Sequence, residues 1–179
     1  TVKGKYFTNY AFFDNTMREK MLLEKRIENG FDVALATDQF RLYVQPKVEM
    51  DTGRIVAGEA LVRWMHPVEG LISPAAFLPV LEKNASIIAM DKYIWQKTFR
   101  LVSDLKCNYD IEMPISINIS RIHAYDDSLV ETLINLSIGF QVPPYLIPLE
   151  LTESAYSENE EIMYDKIKAL KKFGFRLSM

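Results

Sequence analysis

The chain has 179 residues and a formal net charge of −3, enough for one domain plus an extension, or for part of a larger domain. Its 49% apolar and 25% charged residues are those of an ordinary globular protein and exclude a disordered one. The negative balance argues against bulk-charge binding of nucleic acid or an anionic membrane, while leaving room for a local basic pocket for a phosphate. The single cysteine, Cys107, excludes an intrachain disulfide and fits a reducing compartment. No apolar run approaches the ~18 residues of a membrane span, and the first six residues lack the apolar core of a signal peptide. A cytoplasmic location is expected. The start without Met suggests a piece of a longer protein, whose upstream part could carry membrane segments.

In chain order, residues 5–13 read as an extended, aromatic-rich stretch. Thr16 and Glu19 have capping-box spacing, and a charged helix runs from there to about Ile27, a surface or inter-domain linker helix by its composition. Gly30 reads as a break before a second short helix, Phe31 to Ala36. Arg41 to Pro46 is a predicted strand ending at the proline, Asp51 to Arg54 a turn, and Ile55 to Trp64 a long strand. Ser73 is a candidate N-cap with Pro74 at the first helical position. A helix is expected from near Met90 to about Lys106, a strand from Pro114 to Ile119, a helix from Ser128 to Leu136 and a strand from Ile147 to Leu151. Asn159 to Phe173 is a helix stopped by Gly174, and Phe175 to Met179 begins another strand. This alternation is the signature of a parallel sheet, and the apolar strands suit burial on both faces.

Oxygen-bearing side chains punctuate these apolar strands. Gln45, Glu59, Asn118 and Glu150 take late positions in four predicted strands, and functional groups of a parallel α/β barrel gather at C-terminal strand ends. Together they predict a hard-cation site suited to magnesium or manganese. Arg63 lies four residues beyond Glu59, an even spacing that puts both on one strand face, where the guanidinium could clamp a phosphate. Each residue also has a plainer reading. Glu59 and Arg63 could form a structural ion pair. Asn118 could bond backbone at a strand end, and Glu150 with Thr152 and Glu153 could be a loop capped by Thr152 or Ser154. His66 and His123 lack ligand spacing, so zinc is not expected. Cys107 has no partner or base in sequence and reads as inert. Trp64, Trp95, Phe99 and Phe173 read as core.

Six blocks in order now resemble one family. They are Tyr43-Val44-Gln45-Pro46-Lys47, Gly58-Glu59-Ala60-Leu61-Val62-Arg63-Trp64, Leu71 to Phe77, Glu82-Lys83-Asn84, Ile117-Asn118-Ile119-Ser120 and Glu150-Leu151-Thr152-Glu153-Ser154. They are similar to the EAL family of cyclic-di-GMP phosphodiesterases, whose signature tripeptide is Glu59-Ala60-Leu61. The resemblance spans residues 40–179. The segment before it resembles, less specifically, the end of a GGDEF-type domain and a linker helix. The division expected is residues 1–30 for that upstream region and 31–179 for a truncated EAL domain. The fold implied is α/β, the N-terminal portion of a (β/α)8 TIM-like barrel.

The resemblance implies hydrolysis of one phosphodiester bond of cyclic di-GMP to give linear pGpG, with Mg2+ or Mn2+ polarising the phosphate and activating a water. By it, Glu59, Asn118 and Glu150 are metal ligands, and Glu59 and Glu153 serve catalysis, Glu153 as a loop-holding carboxylate. Gln45, Leu61 (through its backbone) and Arg63 contact substrate. In that family an Asp-Asp-Phe metal motif, a lysine, a glutamate and a glutamine follow the strand that here begins at Phe175. The sequence stops at Met179, against about 250 residues for a whole barrel. The chain by itself is therefore expected to be inactive, and to self-associate as a homodimer or larger species through open sheet edges. The partner expected is cyclic di-GMP, with no nucleic acid polymer and no membrane contact. The alternative is a non-catalytic cyclic-di-GMP receptor or interaction scaffold.

Overall fold

Apolar residues spaced by three and four positions set the first element. The computed structural model describes residues 15–151 and 160–178. The predicted stretch 5–13, the side chain of Thr16, the residues Thr152, Glu153, Ser154 and Asn159, and the last residue, Met179, lie outside the described part. Helix α1 (Asn15–Ala36) buries Ile27, Phe31 and Ala34, one stripe of a 3.6-residue period. It passes straight through Gly30, where a break was expected. A Cβ there would lie 3.6 Å from the Trp64 ring, so the glycine sits against a core aromatic, and docking of its neighbours outweighs its poor helix propensity.

Strand β1 (Phe40–Val48) pairs antiparallel with β2 (Ile55–His66), which folds back on β3 (Gly70–Ile72). β1 does not end at Pro46. Pro46 lies opposite Gly58, and Gly58 sends its amide the other way, to Pro114 O at 2.8 Å. The Pro46–Gly58 pair is thus one that exchanges no hydrogen bonds, and the missing N–H costs the ladder nothing. A side chain at Gly58 would meet Val44 Cγ1 at 2.5 Å, so only glycine allows this close approach. The short β3 was not among the expected elements.

Helix α2 (Pro74–Lys83) begins with proline in its first turn; Ser73 has the extended backbone of a cap, but its hydroxyl makes no capping bond. Helix α3 (Ile87–Tyr109) leads to β4 (Ile115–Ile119). A 3-10 turn (Arg121–Tyr125) and α4 (Leu129–Gly139) then lead to β5 (Leu149–Leu151). Helix α5 (Glu160–Phe173) ends at Gly174, φ 117°, and β6 (Leu177–Ser178) follows. The sheet order is β1-β2-β4-β5-β6 with β3 on β2. β2, β4, β5 and β6 run parallel, each joined to the next through helices, as a barrel wall requires.

One face of the sheet is covered. Ala60, Ile115, Ile117, Ile119 and Leu149 pack with Trp95, Phe99, Leu133 and Leu170 of α3, α4 and α5. A second core joins α1 and α2 to the far end of the β1–β2 ladder: Phe40 lies 5.0 Å from Trp64 with the rings tilted by 44°, and Trp64 meets Phe77 edge-on at 5.6 Å. Burial on both faces, as expected of parallel strands, is not what the described residues show. The opposite face is polar, and the site lies there. Phe173 also departs from its core reading: it is 38% exposed and stacks on Phe175 at 6.0 Å. Among the described residues, no helix is long and apolar enough to cross a membrane.

Candidate functional site

Residues opposite one another in a ladder share a face, and so do residues two apart on a strand. Gln45 lies opposite Glu59, Glu59 opposite Ser116, and Asn118 opposite Glu150. All four predicted oxygen donors therefore occupy the polar face of one sheet. They do not share a late strand position: seven residues of β2 follow Glu59, because the strand runs on to pair with β1 and β3.

Glu59 and Asn118 are in contact, the Asn118 amide donating from Nδ2 to Glu59 Oε1 at 3.1 Å. That bond leaves the amide oxygen of Asn118 for another partner. The plainer ion-pair reading of Glu59 with Arg63 is not realised. The guanidinium donates instead to Val62 O at 2.8 Å and stands 6.0 Å from the Tyr43 ring. Gln45 is exposed in β1. Glu153 lies outside the described residues.

Glu150 has an occupant. The Lys47 ammonium donates to Glu150 Oε1 at 2.5 Å and to Ser116 Oγ at 3.2 Å. Ser116 is buried and passes a bond on to Gly58 O at 3.2 Å. Burial alone would raise the Glu150 carboxyl, but the Lys47 and Ser116 bonds outweigh it and hold the group below the usual glutamate range. Glu150 is an anion at neutral pH.

Beside this row, a cavity of about 240 Å³ opens between the strands and helices α2 and α3. Its lining includes Leu61, Arg63, Glu82, Asp91, Asn118 and Ser120. Trp95 of α3 reaches under the sheet and donates from Nε1 to Asn118 O at 3.2 Å, fixing the backbone that carries the amide. The buried His123 ring lies 4.7 Å from Trp95. Sequence reasoning assigned nothing to Lys47, Ser116 or Asp91. Lys47 and Ser116 were findable, since each lies two residues from a candidate on the same strand and so on its face. Asp91 carries no such signal, because it comes from a helix.

The donors are two carboxylates and one amide, hard oxygens that fit a small divalent cation. Among the described residues no group of three or more His, Cys, Asp or Glu side chains is arranged to hold a metal ion; the candidate donors at this face are Glu59, Asn118 and Glu150.

The model of the EAL domain family matches residues 28–179. The chain belongs to the EAL domain family. It is 31% identical over 170 residues to an uncharacterised protein of Synechocystis sp., covering 95% of this chain and 24% of that protein. It is 27% identical over 170 residues to the bifunctional diguanylate cyclase/cyclic di-GMP phosphodiesterase MucR of Pseudomonas aeruginosa, covering 95% of this chain and 25% of that one. The chain thus spans about a quarter of the length of these relatives. The solved PaMucR phosphodiesterase in complex with c-di-GMP superposes with a TM-score of 0.81 at 27% identity, over 86% of this chain and 62% of the other. The EAL fold is a TIM-like α/β barrel, and β1 to β6 with their helices are the part of it described here.

Proposed function

We propose that the whole protein is a cyclic-di-GMP phosphodiesterase that opens one phosphodiester bond to give pGpG, and that Glu59, Asn118 and Glu150 hold its divalent metal, Mg2+ or Mn2+. The observation that carries this reading is the row itself: three hard-oxygen side chains from three neighbouring parallel strands on one polar face, two of them in contact at 3.1 Å. A divalent cation bound there supplies Lewis-acid polarisation of the phosphate and a more acidic water. The protein does the rest. Glu59 and Glu150 present negative charge to the cation, and Asn118 is held for it by Trp95. Arg63, on the same face and at the cavity, is the phosphate contact; it must turn away from Val62 O to reach it. Leu61, at the cavity, and Gln45, opposite Glu59 in the ladder, are assigned as substrate contacts. Glu153 follows Glu150 closely in sequence and is assigned to holding the loop beyond β5. We place the start of the EAL unit near residue 31 and the linker helix before it, in a cytoplasmic protein.

MucR, a bifunctional diguanylate cyclase/cyclic di-GMP phosphodiesterase, and its solved structure in complex with c-di-GMP support this reading. A second reading, a receptor that binds cyclic di-GMP without cleaving it, is favoured by one observation: an internal ammonium already sits on Glu150. Chromatographic detection of pGpG after incubating the whole protein with cyclic di-GMP and Mn2+ separates the two. Release abolished by Glu59→Gln is expected. Stoichiometric binding without any pGpG selects the receptor.

A further inference from the structure

Lys47 has no part in the site as read so far, yet it reaches the middle of it. Two residues from Gln45, it points to the same face, and opposite it in β2 stands Ala57, small enough to leave the way across open. Three strand spacings of about 4.8 Å separate β1 from β5. A 2.5 Å contact between Lys47 Nζ and Glu150 Oε1 therefore needs a sheet curled toward this face and a lysine extended over it. Extending a lysine costs side-chain entropy, so the contact is held by what meets it. One partner is the Glu150 carboxylate. The other is the Ser116 hydroxyl, 2% exposed and anchored on Gly58 O. A hydroxyl, a carboxylate and a concave sheet make a built seat for one positive charge.

A cation on Glu150 in the phosphodiesterase reading has to use the same carboxylate. Ammonium and dication repel at contact distance, so they cannot share one oxygen. We propose that Lys47 is an internal competitor for the metal: its ammonium neutralises Glu150 when no metal is bound, must leave when one binds, and so sets the metal affinity of the site. The inference rests on Glu150 being a metal ligand. In the free protein, the lysine keeps Glu150 from standing uncompensated on a partly buried face. The same pair makes the empty site stable and metal binding weaker than its oxygens alone would give.

The test is Mn2+ binding to the whole protein, read by electron paramagnetic resonance of free Mn2+, with Mn2+ alone as the probe. Lys47→Met should tighten binding about 5-fold, the worth of a part-exposed ion pair, and Lys47→Gln should do nearly the same. Lys47 is 44% exposed, so both variants should fold, and circular dichroism checks that they do. A general loss of positive charge would also tighten binding, so the substitution is repeated in a Glu150→Gln background. There the gain should vanish, since the competition is for that carboxylate. Affinity unchanged or weakened by Lys47→Met, or a gain that persists in Glu150→Gln, overturns the proposal while leaving the metal site standing, provided Glu59→Gln still weakens binding. No Mn2+ binding in any variant overturns both the proposal and the metal reading of this face.

Discussion

Asp126 keeps its charge on a partly buried part of the chain. Burial would raise its carboxyl, but bonds from the Ser128 hydroxyl and amide and the Lys92 ammonium outweigh burial and hold it far below the ordinary range. It also meets His123 Nδ1 at 3.2 Å, while His123 Nε2 meets Asp91 at 3.0 Å. Asp91 goes the other way, since burial raises its carboxyl despite the histidine. Asp126→Asn should cost about 1–3 kcal/mol at neutral pH, the usual cost of breaking charged hydrogen bonds in a buried setting. A carboxyl lowered on folding contributes stability that is complete above its ordinary value of 3.8 and that drains away as pH falls toward the folded value. Urea denaturation should therefore show a gap between wild type and Asp126→Asn that narrows below pH ~4; a gap of constant size would refute the assignment. The Asp91–His123 contact was not legible in the sequence, because the two stand 32 residues apart and meet only through the fold. Glu59, Asn118 and Glu150 were legible because an acid or amide between apolar neighbours on a strand has a face, and the face is computable from period two. Lys47 obeys the same rule, but a lysine near a proline passes for a solvated strand end.

At the scale of elements, helices and parallel strands followed from apolar period and from Gly and Pro punctuation, and the departures occur where tertiary contact overrides punctuation. Gly30 was read as a break and lies inside α1. Pro46 was read as a strand end and lies inside β1 at a pair without hydrogen bonds. In both cases the residue type signals a local cost, and the sequence alone does not show what the cost is weighed against. Gly30 gives a direct check. A Cβ there would find the Trp64 ring at 3.6–3.7 Å, ordinary contact distance, so Gly30→Ala gains helix propensity and a little apolar contact without a clash. It should stabilise the protein by roughly 0.5–1 kcal/mol, seen as a raised Tm in a thermal melt. A lowered Tm would mean that α1 is bent or interrupted at Gly30 in solution. β3 was missed because three residues carry too little pattern to show a period.

For the whole molecule, the sheet has a helix-covered apolar face and an open polar one, and among the described residues β1 and β6 each have one edge without a partner strand. Exposed Tyr43, Ile55 and Leu71 lie on the β1–β2–β3 part of the sheet. Unpaired edges with apolar side chains invite strand addition. Residues 1–179 expressed by themselves should accordingly self-associate, with a mass that rises with concentration in light scattering. A monodisperse monomer across that range would refute this. By themselves they should also release no pGpG at a useful rate, because two carboxylates and one amide replace too little of the hydration shell of Mg2+ to hold it well.

The central claim is that Glu59, Asn118 and Glu150 converge on one divalent cation, and Mn2+ can be located by its anomalous scattering in crystals soaked with it. In crystals of the whole protein a single peak is expected about 2.0–2.3 Å from an oxygen of each of the three side chains, with the Lys47 ammonium moved off Glu150. A peak elsewhere, or none while Lys47 stays on Glu150 at saturating Mn2+, would contradict it.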